Sequence, residues 1–320
     1  MRELPDRGYR SRARWEFLEL PALLHEDPRA LVYSPFGPMW NLSVAPRTAW
    51  MSRNIIPLLP PERWELSESD HARMMALRAL FTAFARTARA SICVSQHARA
   101  ALSALSGVAR ERIAVIPHGV EPVREYPAST HALERIRREP YLLHVGQPIA
   151  YRRTLELVDG YALLAARRNM PRLVLAGGAR GADADYEGRC LTRLAPLVAR
   201  GQAVSLGQVE HVDVLALMAS AQTFVYPSVQ EDCPNVVLEA LSAGRVGVYA
   251  DIPAVRELAG DAAVFVPEPR PEPLAEATER AVFDDALRAR LTREARGRAA
   301  QFTWDRSAQR LVAILDQAFD

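Results

Sequence analysis

From about residue 141 onward the chain alternates two patterns of apolar and polar positions. Short runs dominated by apolar residues fall at 141–145, 172–176, 203–206, 223–226, 246–249 and 263–266. Runs of this length with little polar alternation are those of strands buried on both faces, as in a parallel sheet. Between them lie longer stretches with helical spacing, at 152–168, 184–200, 211–220, 234–243 and 252–258. Regular strand–helix alternation predicts a doubly wound α/β domain, in which ligands gather at the carboxyl ends of the strands. The N-terminal part shows fewer units. Strands are expected at 30–34, 47–52, 90–95 and 112–116, with a helix-like stretch at 12–26 and a long helix from about His71 to Arg89. A stretch rich in Pro and Gly, 116–127, reads as a linker, and 304–319 as a last helix. The one tract of biased composition is 268–279, rich in Pro and Glu.

The stretch 226–244 concentrates the chemistry. Glu231 follows the run TFVY in a loop opened by Pro227 and Ser228, and Glu239 falls inside the next helix. Pro234 suits the first turn of that helix, and Gly244 suits the residue just past its end. A strand, a loop and a helix N-terminus make an anion site, because unpaired N–H groups and the positive end of the helix dipole converge there. The amides of Asn235 and Val236 are suitable donors, whereas Pro234 has none. Cys233 lies at the same helix start, where its thiol pKa would be lowered; with no His beside it in sequence, the plainer reading is structural.

These residues resemble the signature of the retaining, nucleotide-sugar-dependent glycosyltransferases of family 4. The likeness lies in the two glutamates seven residues apart after Pro-Ser, the small-residue turn and strand that follow, and the pattern Glu257 to Ala263. The stretch from Arg172 to Val266 carries it most closely. It implies the GT-B fold: two Rossmann-like, doubly wound parallel-sheet domains facing across a cleft, the N-terminal one incomplete here. The expected division is 1–122 for the acceptor-side domain, 123–303 for the nucleotide-sugar domain, and 304–320 for a helix crossing back.

By the same resemblance Glu231 would contact the donor sugar and Glu239 the ribose. In HVGQPIAYRRTLEL, Gly146 and Gln147 would border the diphosphate, with Arg152 where the family commonly has Lys and Arg153 beside it. Gln147 stands where many members have a second Arg, so one phosphate contact is lost or supplied by Arg153. On the acceptor side Arg53 and Asn54 replace the frequent His-Asp pair. Arg53 would then meet a phosphate or an acidic acceptor, with Asn41 and His118 lining the same region; the ordinary reading of all three is as loop and turn residues.

Composition narrows the classes. The chain has 320 residues, 49% of them hydrophobic and 24% charged, enough for two compact domains. A net charge of +2 gives no basic field for nucleic acid. The sequence contains no Lys, so all 40 basic residues are Arg and a Schiff-base or P-loop lysine is excluded. Three separated cysteines indicate neither a disulfide framework nor a zinc site. Asp183-Ala184-Asp185 looks like a metal-binding DxD motif but opens a helix, where Asp is a favoured cap. The resemblance implies a metal-independent transfer, so the expectation is no metal and no cofactor. The polar start offers no signal-peptide core and no run spans a membrane, which points to the cytoplasm. The helix from His71 carries an apolar stripe edged with Arg, a pattern of either a core helix or peripheral contact with the inner face of an anionic membrane.

With these readings beside it, the resemblance implies a retaining, metal-independent hexosyl transfer from a nucleotide-diphosphate sugar to a glycan or lipid-linked acceptor, in bacterial surface-polysaccharide assembly. The alternatives are a non-catalytic remnant of the same fold that binds a nucleotide or a partner transferase, and a sugar-nucleotide epimerase.

Overall fold

The computed structural model describes residues 9–66, 68–123, 126–127, 129–178 and 183–319. The polar residues 1–8 and parts of the linker stretch lie outside them. The chain divides into two compact units, 1–117 with 308–320, and 118–307.

The first unit opens with helices α1 (Tyr9–Arg14) and α2 (Leu20–Glu26), joined without a break by a wide turn at Trp15–Glu19. Its sheet holds β1 (Val32–Ser34), β2 (Thr48–Ser52), β3 (Ala90–Cys93) and β4 (Ile113–Val115), all parallel and in chain order. Helix α3 (Glu68–Thr87) follows β2, and α4 (Gln96–Ser106) follows β3. Trp50, fully buried on β2, meets Phe81 and Phe84 of α3 edge-on at 5.3 and 6.1 Å. The apolar stripe of α3 thus belongs to the core: Leu80, Phe81 and Phe84 are buried, and Leu77 and Ala88 pack against them. Arg78 donates to the carbonyls of Pro57, Leu58 and Leu59, and Arg86 to that of Ser106. Of the two readings of this helix, the structure shows the core-facing one for its apolar stripe, while Arg73 pairs with Asp70 at 3.1 Å. Among the described residues no helix is long and apolar enough to cross a membrane.

The second unit contains α5 (His131–Arg137), β5 (Tyr141–Val145), α6 (Thr154–Arg167), β6 (Arg172–Ala176), α7 (Ala184–Ala199), β7 (Ala203–Ser205) and α8 (His211–Ser220). It continues with β8 (Thr223–Tyr226), α9 (Asn235–Ser242), β9 (Val246–Ala250), α10 (Pro253–Ala259), β10 (Ala263–Val266), α11 (Pro271–Phe283) and α12 (Asp285–Ala299). Helix α13 (Trp304–Phe319) begins in this unit and from Ala308 belongs to the first. The parallel sheet runs β10-β9-β8-β5-β6-β7. From β5 the chain winds to one side through β6 and β7, then returns to β8 on the other. The order therefore reverses between β5 and β8, and the loops after these two strands flank a topological switch point, where open α/β sheets bind ligands. The expectation of two doubly wound, parallel-sheet α/β domains holds in that both sheets are open and parallel.

Candidate functional site

The loop after β5 and the loop after β8 meet at that switch point. Gly146 N–H donates to the Ala176 carbonyl, and Gly177, at φ 131°, brings its Cα against the Gly146 carbonyl, where a Cβ would approach to 2.2 Å. Only glycine fits there. Gly146 is overlain by the Arg152 side chain, so the glycine expected to border a diphosphate also makes room for the cation. The chain then turns through Ala150–Arg152 into Arg153, the one non-glycine with positive φ (54°) among the described residues. Such a conformation costs roughly 1–3 kcal/mol and persists only where its surroundings impose it. Here Val229 N–H, in the opposite loop, donates to the Tyr151 carbonyl and ties the two loops together. Arg153 itself pairs with Glu156 at 3.6 Å, so its charge is held within its own turn.

Glu231 is half-buried, and its Oε1 accepts from the hydroxyls of Tyr226 at 2.5 Å and Ser228 at 2.7 Å. Arg152 Nε lies 3.9 Å from the same oxygen and makes no hydrogen bond among the described residues. Burial opposes the charge on Arg152, but Tyr226, Glu231 and Tyr151 together more than offset it and hold its pKa above the ordinary arginine value. Tyr226 is wholly buried, and burial followed by the Glu231 charge pushes its phenol well above the usual tyrosine range. It is therefore a donor and not a base. Beneath it His144 stacks on the Tyr226 ring at 6.1 Å. The His144 Nδ1–H donates to the Val225 carbonyl at 2.9 Å, and its Nε2 accepts from the Thr154 hydroxyl at 3.3 Å. Burial lowers the His144 pKa to about 4, so the ring is neutral.

Helix α9 starts at Asn235 with Pro234 as its N-cap, one position outside the first turn where the sequence placed it. A proline cap has no side-chain acceptor, and none caps this helix. The amides of Asn235 and Val236 have no carbonyl within the helix to receive them, so this N-terminus keeps its capacity for an anion. The Asn235 side chain accepts from His118 Nδ1 at 2.7 Å, and the His118 ring stacks on Trp304 at 6.0 Å. His118 is thus held in the second unit beside α9. Cys233 is buried and, like Cys93 and Cys190, forms no disulfide. Glu239 is buried on α9; its Oε1 accepts from His211 Nε2 at 2.9 Å, while its buried Oε2 has no partner among the described residues. Gln147 lies in the loop after β5.

In the first unit Arg53 follows β2 and stands over the Phe36 ring at 5.1 Å. Asn41 is buried. Its amide donates to the Glu16 carbonyl at 2.8 Å and its oxygen accepts from Ser43, which caps the turn at Leu42–Arg47. Asp183 accepts from Tyr186 N–H at 3.1 Å and caps α7, the role its position predicted over metal binding. Sequence reading did not pick out Tyr226, Ser228, His144 and His211 as individual site residues. Tyr226 and His144 sit in apolar runs that read simply as strand. Ser228 carried a signal, since it belongs to the Pro-Ser pair itself.

A two-unit α/β protein with this switch-point site falls in the GT-B class, and comparison with known proteins agrees. HepE of Anabaena, solved with UDP and glucose, superposes with a TM-score of 0.73 at 18% identity, covering 98% of this chain and 84% of that one. A UDP-forming α,α-trehalose-phosphate synthase of Burkholderia xenovorans gives a TM-score of 0.73 at 16% identity, covering 96% and 76%. Residues 139–284 match the family model described as glycosyl transferases group 1, and residues 58–124 the model for glycosyltransferase family 4. The chain thus carries stretches that match glycosyl transferases group 1 and glycosyltransferase family 4, in a fold of the GT-B type. The O-antigen chain mannosyltransferase B of Escherichia coli is 29% identical over 169 residues, 52% of this chain and 42% of that protein. The D-inositol 3-phosphate glycosyltransferase of Jonesia denitrificans is 32% identical over 169 residues, 50% of this chain and 39% of that protein. The match thus spans less than half the length of either curated relative.

Proposed function

We propose that this protein is a retaining glycosyltransferase that moves a sugar from a nucleotide-diphosphate donor to a glycan or lipid-linked acceptor. The observation that carries the reading is the meeting, at the switch point of the second sheet, of a pinned carboxylate (Glu231), an incompletely bonded guanidinium (Arg152) and an uncapped helix N-terminus. In this reading the donor diphosphate lies against Arg152 and the amides of Asn235 and Val236. These fixed charges gain strength as the leaving phosphate takes up negative charge, so they lower the barrier more than they tighten substrate binding. Glu231, with one oxygen held by Tyr226 and Ser228, turns its other oxygen toward hydroxyls of the donor sugar. Glu239 offers its unpartnered Oε2 to the ribose. The acceptor hydroxyl attacks the anomeric carbon on the face the phosphate leaves; the new C–O bond forms, the C–O–P bond breaks at carbon, and the acceptor proton passes to the departing phosphate oxygen. The configuration is kept and no side chain acts as a strong base. The charge of the diphosphate is met by Arg152 and the helix rather than by a metal.

The name of the O-antigen chain mannosyltransferase supports assembly of a bacterial surface polysaccharide, and the nucleotide named with HepE supports a nucleoside-diphosphate donor. The test is turnover of UDP-, GDP- and ADP-sugars with glycan and lipid-linked acceptors, with the anomeric form of the product read by NMR. Glu231→Gln keeps both hydroxyl contacts and the fold, and should lower turnover by roughly 10²- to 10³-fold. Unchanged turnover, or a product of inverted configuration, would remove this reading.

A further inference from the structure

We propose that the carboxyl end of the first unit's sheet carries an oxyanion site built on Arg53 and Phe36. The acceptor then bears a phosphate or carboxylate beside a sugar ring. The word acceptor rests on the function proposed above; the site does not.

The first observation is a cation without a counter-charge. Arg53 is half-buried, yet among the described residues it makes no ion pair and no hydrogen bond. Other arginines of the same unit are satisfied by carbonyls: Arg47 by those of Leu24, Asp27 and Ala30, Arg78 by three, and Arg86 by Ser106. A guanidinium partly removed from water with its fork of donors unused is matched by a planar or tetrahedral oxyanion.

The second observation is an aromatic ring held out in water. Phe36 is 78% exposed, more than any other exposed large apolar residue among those described. It sits in the turn Pro35-Phe36-Gly37-Pro38, where the Ser34 hydroxyl donates to the Gly37 carbonyl at 2.6 Å and Gly37 has φ 113°. Two prolines and that bond restrict the turn, so the ring is presented rather than free to fold onto the core. The Arg53 guanidinium over it lies 5.1 Å from its centroid. A bare pair of this kind is worth about 0.5–1 kcal/mol and needs no ligand. That account leaves the unused donors and the exposed face unexplained.

The third observation is placement: β1 and β2 are parallel neighbours whose carboxyl ends lie here, with Ser34 paired to Trp50, so Phe36 and Arg53 follow adjacent strands. Tyr33 lines the same end, its hydroxyl against the Met51 sulfur at 3.8 Å and its ring within the field of Arg53. An anionic sugar satisfies the whole set: its oxyanion takes the guanidinium and the apolar face of its ring lies on Phe36. A neutral glycan would leave Arg53 as it stands.

The test is calorimetric titration of the full chain with glucose 6-phosphate, glucuronate and glucose. Wild type and Arg152→Gln should bind at least one of the two anions equally well, because the donor-side cation is not used. Glucose should bind about tenfold more weakly or worse, and Arg53→Gln should lose about tenfold or more for the anion, the range of a charged hydrogen-bonded pair. Phe36→Ala should weaken the sugar anion while leaving inorganic phosphate unchanged. Binding of glucose 6-phosphate alone assigns a phosphate, and of glucuronate alone a carboxylate. Absence of binding by both anions, binding unchanged in Arg53→Gln, or binding lost in Arg152→Gln would overturn the site. Failure of donor turnover bears on the function and leaves this titration interpretable by itself.

Discussion

At the scale of single residues, the site depends on groups that hold other groups. Glu231 is fixed by two hydroxyls, and the ring of one of these, Tyr226, rests on His144. The neutral state of His144 has a measurable consequence. Its pKa is near 4 in the folded protein and about 6.5 when unfolded, so between those values the unfolded chain binds the extra proton. Stability from this residue is therefore complete above pH 6.5 and is lost as pH falls toward 4, by up to about 3 kcal/mol. Denaturant unfolding at pH 7 and 4.5 should show a larger drop in wild type than in His144→Gln, and equal drops would refute the assignment. The two glutamates were legible from their spacing. His144 and Tyr226 were not, because their polar ends find partners that no local pattern announces: a strand backbone for one, a loop carboxylate for the other.

At the scale of elements, the strands of the second unit fall where the apolar runs predicted them, because the four central ones, β5, β6, β8 and β9, are buried over most of their length. The helices were less evenly legible. The tract 268–279, which reads as biased composition, contains the start of α11, with Pro271 at its first position, where a missing N–H costs nothing. Helix α12 went unpredicted because its buried stripe is Leu291, Ala295 and Ala299, with little contrast against Arg-rich neighbours. The start of α11 approaches α6 so closely that a Cβ on Gly160 would lie 2.5 Å from the Pro271 carbonyl oxygen. Gly188, also in a helix, has nothing within 4 Å of that position. Gly160→Ala should therefore destabilise the protein by about 1–3 kcal/mol, while Gly188→Ala should stabilise it by about 0.5–1 kcal/mol. Urea midpoints distinguish the two; stabilisation by both would mean that backbone propensity and not helix contact decides.

At the scale of the whole molecule, each unit has its own sheet and core, and the residues proposed for donor binding all lie in the second. Arg152, Glu231, the start of α9 and Glu239 come from loops and a helix around one switch point, so the proposed donor residues all belong to one unit. A ligand that binds only the folded state stabilises it, by roughly 2.7 kcal/mol at about 100 times its dissociation constant. Thermal unfolding of the full chain with UDP, GDP, ADP and their sugar conjugates therefore tests the central claim most directly. The account predicts that one nucleotide raises the midpoint of wild type and that Glu239→Gln loses most of the rise. If no nucleotide moves the wild-type midpoint, the second unit does not bind a donor, and the proposed transferase activity fails with it.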